Sequence, residues 1–459
     1  MKDIDAVSLD ENIENEFIGQ GTEDILETPG YSEEEADVMK SMVNLENRRV
    51  LLVNTVVGPG NSVGRLVEGL YDTLVDHGYE CLVAYGRDEC PEHIRSYRIG
   101  TDFDMYIHGI MTRLKDRHGF YSTKATKEFI DVIEDFDPDI IHLHNIHGYY
   151  LNVKVLFEYI KESGRRVIWT LHDCWSFTGH CSHFEYVGCM KWQTQAGCSQ
   201  CEQLEEYPKS FGYDNSENNF AEKKELFTGI ENMTLVTPSE WLKQRVEASF
   251  LKEYHVVVVP TGIDLERFYP VEEEMSQDNV IFRLKNALSL RGKSIILGVA
   301  NPWRDRKGLM QFVTLNKAID EKYAIVMLGL TDEQANSLPQ SIISLAKTES
   351  IDELAAIYSM ADVYVNLSLE DTFPTTNLEA LACGTPVVTY KTGGSPESID
   401  ETCGIAVEKN SIQGIIAALD KIEMSKGESY TKEQCVYRAM LYDKNTRFLE
   451  YIQEVYEGI

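Results

Sequence analysis

Residues 367–386 read LSLEDTFPTTNLEALACGTP, and the reading of this stretch organises the second half of the chain. It follows the apolar run Val363–Asn366 and is punctuated by Pro374, Gly384 and Pro386. Proline suits a first helical position, glycine a place just past a helix end, and a second proline stops continuation. The stretch predicts a helix over Pro374–Ala382, between a strand at Val363–Asn366 and another at Pro386–Thr389. On that helix Thr375 and Glu379 are four residues apart and share a face, while Leu378, Leu381 and Ala382 turn toward a core. Asp371 falls in the loop just ahead. The unpaired N–H groups of the helix start, near Thr375 and Thr376, make a seat for phosphate.

Two carboxylates around a phosphate seat call for an explanation. Carboxylates only accept hydrogen bonds, and sugar and ribose hydroxyls donate them. A ligand with phosphate in its middle and polyols at both ends, the layout of a nucleotide-sugar, fits. Upstream, Trp303-Arg304-Asp305-Arg306-Lys307-Gly308 follows a strand at Ile295–Val299, so cations stand where they would neutralise a leaving diphosphate. Spacing alone is weak here, because an Asp-x7-Glu pair recurs on any exposed helix.

Outward from this motif the βα repetition continues. Helices Leu309–Ile319 and Ile351–Met360 and the strand Ala324–Leu328 complete the second half. In the first half, strands read at Val50–Asn54, Cys81–Tyr85, Ile140–His144, Val167–Leu171, Leu235–Val236 and Val256–Val259. Helical stretches at Arg65–His77 and Val153–Lys161 separate some of them. Strands alternating with helices imply parallel, doubly wound sheets. Pro and Gly near Val259–Tyr269 break the pattern, so the expectation is an α/β chain of two Rossmann-like lobes facing across a cleft. Ligands of such sheets bind beyond the carboxyl ends of the strands. The expected boundaries are an acidic tail at 1–46, an acceptor-side lobe at 47–260, a nucleotide-sugar lobe at 261–435, and a terminal helix at 436–459 crossing back to the first lobe.

Composition narrows the partners. The chain has 459 residues, more than one compact core usually holds, and 43% hydrophobic with 26% charged residues is globular composition. A net charge of −32 repels polyphosphate at long range, which argues against nucleic acid. Residues 1–46 carry fourteen carboxylates against Lys2 and Lys40 and read as a disordered tail or a partner-binding arm. No apolar run approaches the roughly 20 residues of a membrane span, and the start is acidic, so a cytoplasmic protein is expected.

With Asp371…Glu379 followed by Ala380-Leu381-Ala382-Cys383-Gly384-Thr385-Pro386, the chain resembles family-4 retaining glycosyltransferases of the GT-B fold. Three further strings stand in that family's order. Thr261-Gly262-Ile263-Asp264 resembles its hinge segment, Arg304/Lys307-Gly308 its diphosphate motif, and Gly393-Gly394-Ser395-Pro396-Glu397 its Gly-Gly-x-Pro-Glu loop. Trp169–Trp175 and Arg113–Gly119 are similar to the colanic-acid or exopolysaccharide subgroup. The resemblance covers about residues 49–457. Asp371 stands where the family has Glu, and Thr-Phe-Pro at 372–374 replaces Gly-Phe-Gly, removing one backbone donor.

The resemblance implies transfer of a sugar from a nucleotide-sugar to a saccharide, lipid-linked or other glycan acceptor, with the configuration retained; the Asp-x-Asp strings, as solvated turns, lead to the expectation of metal-independent chemistry. It assigns Glu379 to ribose hydroxyls, Asp371 to hydroxyls of the transferred sugar, and Lys307 with Arg304 or Arg306 to the diphosphate. His172 would reach donor sugar or phosphate. Gly60 and Ser62 in the glycine loop, with Thr372, Phe373, Thr375 and Thr376, complete the expected donor contacts. The other readings are a GT-B-fold subunit without turnover, acting through the acidic tail, and a sugar-nucleotide epimerase.

Other features remain. Asp-x-Asp strings at 102–104, 135–137 and 137–139 read as solvated turns. Cys181, Cys189, Cys198 and Cys201 have the spacing of a structural zinc site, with His180 and His183 as substitutes and free thiols as the alternative. Arg113, Lys115, Arg117, Lys124 and Lys127 form a basic stretch that would suit peripheral docking on anionic lipid at the inner face of the membrane, or an ordinary solvated surface. His142 and His144 share a strand face and read as packing or acceptor lining, and Tyr149-Tyr150 as acceptor stacking or packing.

Overall fold

The computed structural model describes residues 48–58, 60–276, 279–425 and 427–458. The acidic segment at 1–46 and Pro59 of the glycine loop lie outside the described residues. The first sheet holds β1 (Arg49–Asn54), β2 (Glu80–Tyr85), β3 (Ser96–Arg98), β4 (Ile140–Leu143), β5 (Arg166–Thr170), β6 (Met233–Thr237) and β7 (His255–Val258), in the order β3-β2-β1-β4-β5-β6-β7. The second holds β8 (Ser294–Val299), β9 (Tyr323–Leu328), β10 (Ile342–Leu345), β11 (Val363–Asn366), β12 (Val387–Tyr390) and β13 (Gly404–Val407), in the order β10-β9-β8-β11-β12-β13. Every pairing is parallel.

Helices cover both faces of each sheet, which is why the strands read as continuous apolar runs. Successive side chains alternate between the two cores. Leu51, Val53, Ile141 and Trp169 enter one, and Val50, Leu52, Ile140 and Ile168 enter the other. Phe448, Tyr451, Ile452, Val455 and Tyr456 pack into the core beneath the first sheet, so the chain end seals the amino-terminal lobe. Arg166 donates to the carbonyls of Val455 and Tyr456, both at 2.6 Å, satisfying groups that a helix end leaves unpaired.

Strands β3, β10 and β13 were not anticipated from the sequence. Each is an edge strand of three or four residues, at least half of them part-buried or exposed, unlike those of the equally short central strands β4, β11 and β12. The helix after Asp371 spans Thr375–Ala382, and Pro374 caps it (φ −76°, ψ 107°) instead of opening it. The extended ψ keeps this residue outside the helix, and no side chain caps the terminus. Among the described residues no helix is long and apolar enough to cross a membrane.

Candidate active site in the cleft

Strand order reverses between β1 and β4 in one sheet and between β8 and β11 in the other. Such switch points open a crevice beyond the strand ends. The chain leaves β5 to reach His172, β8 to reach Arg304–Lys307, β11 to reach Asp371, and β12 to reach Gly393. The two lobes meet there directly. Thr372 Oγ1 donates to the His172 carbonyl at 3.0 Å, and Ser239 Oγ donates to the Thr372 carbonyl at 2.7 Å.

Three cavities run through the cleft and share walls. The first, about 410 Å³, is lined by Ser62, Arg65, Thr261, Phe268, Thr375 and Glu379. The central one, about 250 Å³, is lined by Ser62, His172, Arg306, Lys307, Asp371, Thr372, Phe373, Thr375 and Thr376. The third, about 290 Å³, adds Asp173, Tyr186, Tyr207 and Arg304 to Arg306 and Lys307. Of the residues expected to contact the donor, all but Gly60 lie along one channel. Gly60 is the exception: it is exposed, a Cβ there would meet nothing within 4 Å, and it lines none of the three. Its loop acts through Asn61, which caps the helix Ser62–Asp76 by accepting from the Gly64 N–H, and so sets Ser62 against the cleft. Of the two arginines, only Arg306 reaches the central cavity, and its guanidinium also donates to the Glu370 carbonyl at 2.6 Å.

Charge is arranged to stay on. Lys307 Nζ lies 2.5 Å from Asp371 Oδ2. Burial alone would push the Asp371 carboxyl up, but Lys307 and Arg306 hold it below its ordinary value, so it remains ionised. Glu379 is the opposite case. Burial raises it, opposed by the Tyr358 hydroxyl donating at 2.8 Å and by Arg65. His172 is pushed down to about 4 by burial, although Asp173 pulls the other way. At neutral pH it is an uncharged imidazole, 3.2 Å from His144 Nδ1. His142 and His144 are both buried; His142 bridges Tyr456 and Thr170, while His144 reaches the site only through His172.

The sequence reading gave no role of their own to several residues that build the site. Glu370, fully buried, accepts from three consecutive N–H groups, Phe184, Glu185 and Tyr186, at 3.2, 2.7 and 3.0 Å. Glu397 accepts from Glu240 and Trp241, both at 2.8 Å, at the start of the helix Glu240–Glu247. Each carboxylate stems from the second lobe and grips amides of the first, a charge-assisted contact that ties the lobes together. Asp173 Oδ2 sits 3.0 Å from His147 Nε2. The available signal was adjacency: Glu370 precedes Asp371, Glu397 ends the Gly-Gly-x-Pro-Glu string, and Asp173 follows His172.

The zinc expectation meets a different geometry. Cys181, Cys189, Cys198 and Cys201 line one small closed cavity with His180, and none is in a disulfide. Among the described residues, however, no three His, Cys, Asp or Glu side chains form a group that could hold a metal ion. His180 is engaged at both nitrogens, by Asp116 at 2.5 Å and the Gln203 carbonyl at 3.2 Å, and His183 lies beside Glu370 at 3.7 Å. Both histidines are therefore engaged elsewhere, and the four thiols stand unbridged.

Comparison with known proteins agrees with the geometry. Residues 63–267 match Glycosyltransferase Family 4, and residues 281–439 match Glycosyl transferases group 1. The chain is 25% identical over 302 residues to the putative colanic acid biosynthesis glycosyl transferase WcaC of Escherichia coli strain K12, covering 63% of this chain and 68% of that one. Sucrose-phosphate synthase from Thermosynechococcus elongatus superposes with a TM-score of 0.65 at 16% identity, over 89% of this chain and 98% of that one. HepE from Anabaena, in complex with UDP-glucose, gives 0.61 at 12% identity, over 90% and 100%. Two parallel-sheet lobes, a cleft at their switch points and these matches place the chain among the glycosyltransferases of the GT-B fold, with a family-4 amino-terminal lobe and a group-1 carboxy-terminal lobe.

Proposed function

We propose that this glycosyltransferase takes its sugar from a nucleoside diphosphate sugar, retains the anomeric configuration, and passes the sugar to a glycan or lipid-linked acceptor in polysaccharide or surface-glycan synthesis. One observation carries the reading: Glu379, then Lys307 and Arg306 with Asp371, succeed one another along a single channel. The spacing suits ribose, diphosphate and sugar in that order. The HepE complex with UDP-glucose supports the donor class, and the WcaC likeness supports the polysaccharide setting.

As the anomeric C–O bond breaks, negative charge collects on the leaving phosphate beside Lys307 and Arg306. Preorganised cations there act only where charge develops, which lowers the barrier and not merely the energy of the bound substrate. Ionised Asp371 accepts from hydroxyls of the sugar and is kept as an acceptor by the same cations. Neutral His172 adds a hydrogen-bonding group without a second positive charge. No carboxylate is assigned as nucleophile, so same-face attack with the departing diphosphate as base accounts for retention.

The test is calorimetric titration of the intact chain with UDP-, GDP- and ADP-sugars. One of these should bind, and Glu379→Ala should weaken binding about tenfold or more in a chain that still folds, with a modest fall in thermal midpoint because the buried Tyr358 hydroxyl loses its acceptor. A folded chain that binds none of them would favour a GT-B subunit without turnover. Retention is read separately, from the anomeric proton coupling of the product.

A further inference from the structure

The helix Asp102–Lys115 is amphipathic in the wrong sense for a soluble surface. Its buried residues are His108, Gly109 and Thr112. His108 is satisfied there by Ser122 Oγ at 2.9 Å and the Gly119 N–H at 3.2 Å. The opposite side carries Phe103, Tyr106, Ile107 and Leu114, exposed by 71, 66, 42 and 50%. Half-buried Ile110 completes the spacing of one helical stripe. At the carboxyl end of this helix, the Phe211 N–H donates to the Arg113 carbonyl at 2.7 Å. That bond brings a loop with two more exposed aromatics, Phe211 (66%) and Tyr213 (52%), up to the stripe.

Charge tells what covers this patch. In a chain of net charge −32, the end where stripe and loop meet carries Arg113, Lys115 and exposed Lys209, with exposed Glu205, Glu206 and Asp214 on the flanks of the loop. Lys115 lies over the Tyr213 ring. The acidic residues of the helix sit at its far end, where Arg98 pairs with Asp102 and Thr101 with Asp104. A second copy docked on this face would set basic rim against basic rim. Aromatic and aliphatic side chains fringed by Lys and Arg are instead the make-up of a surface that lies in a lipid headgroup layer. Arg117, expected in the basic stretch, takes no part: it pairs with Glu222 at 2.7 Å.

We infer that the Asp102–Lys115 helix and the Lys209–Tyr213 loop dock the enzyme on an anionic lipid bilayer. The position is useful if the transferase reading holds, on which this last step rests. Tyr207 lines the third cavity, and only three residues separate it from Phe211. Four residues span at most roughly 14 Å, so an acceptor anchored in that bilayer would enter the channel from the side opposite Glu379.

Co-sedimentation of the full chain with vesicles tests the surface without any donor. Vesicles of phosphatidylcholine and phosphatidylglycerol, three to one, should pellet the protein, and phosphatidylcholine alone should pellet much less. The pairs Phe103→Glu with Ile107→Glu, and Phe211→Ser with Tyr213→Ser, should each cut the partition coefficient about tenfold or more. Lys115→Ala with Lys209→Ala should abolish the preference for anionic vesicles. Nucleotide-sugar calorimetry on the same variants separates the two readings: intact donor binding with lost pelleting supports docking, and pelleting without donor binding sinks only the donor assignment. Wild-type protein that stays in the supernatant overturns the proposal. So does a wild-type dimer that Phe103→Glu with Ile107→Glu converts to monomer, since a second copy would then be the occupant.

Discussion

Lys307 does two jobs that a single substitution can pull apart. It stands where a leaving diphosphate gathers charge, and it holds Asp371 ionised at 2.5 Å despite burial. Lys307→Ala should lower kcat about 10²–10³-fold, the usual cost of losing one donor aimed at developing charge. With that cation gone, burial wins at Asp371, so the acid limb of the pH–rate profile should move to higher pH. A lowered kcat with an unmoved acid limb would show that Asp371 is held by Arg306 alone. Glu379 has only a weaker cation partner in Arg65. Its burial raises its proton affinity, and the Tyr358 hydroxyl donating at 2.8 Å offsets part of that cost.

At the scale of elements, the loops after β11 and β12 hold one another in shape. Gly393 has φ +57°, and a Cβ there would stand 1.8 Å from the Asp371 carbonyl oxygen. Gly394 backs onto the Thr372 carbonyl in the same way, at 2.1 Å. The glycine pair is thus a packing requirement of the Asp371 loop. Gly393→Ala should displace that loop, weaken donor binding and lower stability by at least the roughly 1–3 kcal/mol that left-handed backbone costs other residues. Gly292→Ala is the control, since Gly292 has φ +77° but nothing within 4 Å of its would-be Cβ. It should show the backbone cost alone and keep donor affinity. Equal effects of the two substitutions in calorimetry and thermal unfolding would count against the contact with Asp371.

At the scale of the molecule, burial has placed several uncharged imidazoles in the amino-terminal lobe. Burial pushes His108 and His142 down to about 3 and His172 to about 4, and lowers His118 and His144 as well. The unfolded chain protonates these groups near pH 6.5 while the folded chain does not. Below that pH the unfolded state therefore binds more protons, and stability falls as pH drops from 6.5 toward 4, by up to about 1.4 kcal/mol per pH unit for each group. His180 works the other way. Burial lowers its proton affinity, but Asp116 more than reverses this, so its contribution is present below 6.5 and lost as pH rises. The depressed groups outnumber it, and thermal midpoints should decline steadily from pH 7 to pH 5. A midpoint that stays level across that interval would contradict the burial of these imidazoles.

What depends on near neighbours was legible in the order of residues. Apolar runs such as Val50–Asn54 and Val363–Asn366 became strands because both faces of a parallel sheet are covered. The string from Asp371 to Pro386 carried its helix, its carboxylates and its family in one reading. The rest emerged on folding, because it rests on groups far apart in the chain. Glu370 and the amides of Phe184–Tyr186 are about 185 residues apart, and no local pattern announces their meeting. The same holds for the choice of Arg306 over Arg304 in the central cavity, and for Gly60, whose loop turns it away. The apolar stripe of the Asp102–Lys115 helix is written in the sequence, but its exposure is not. Periodicity shows that a helix has two faces, and only packing decides which of them is buried.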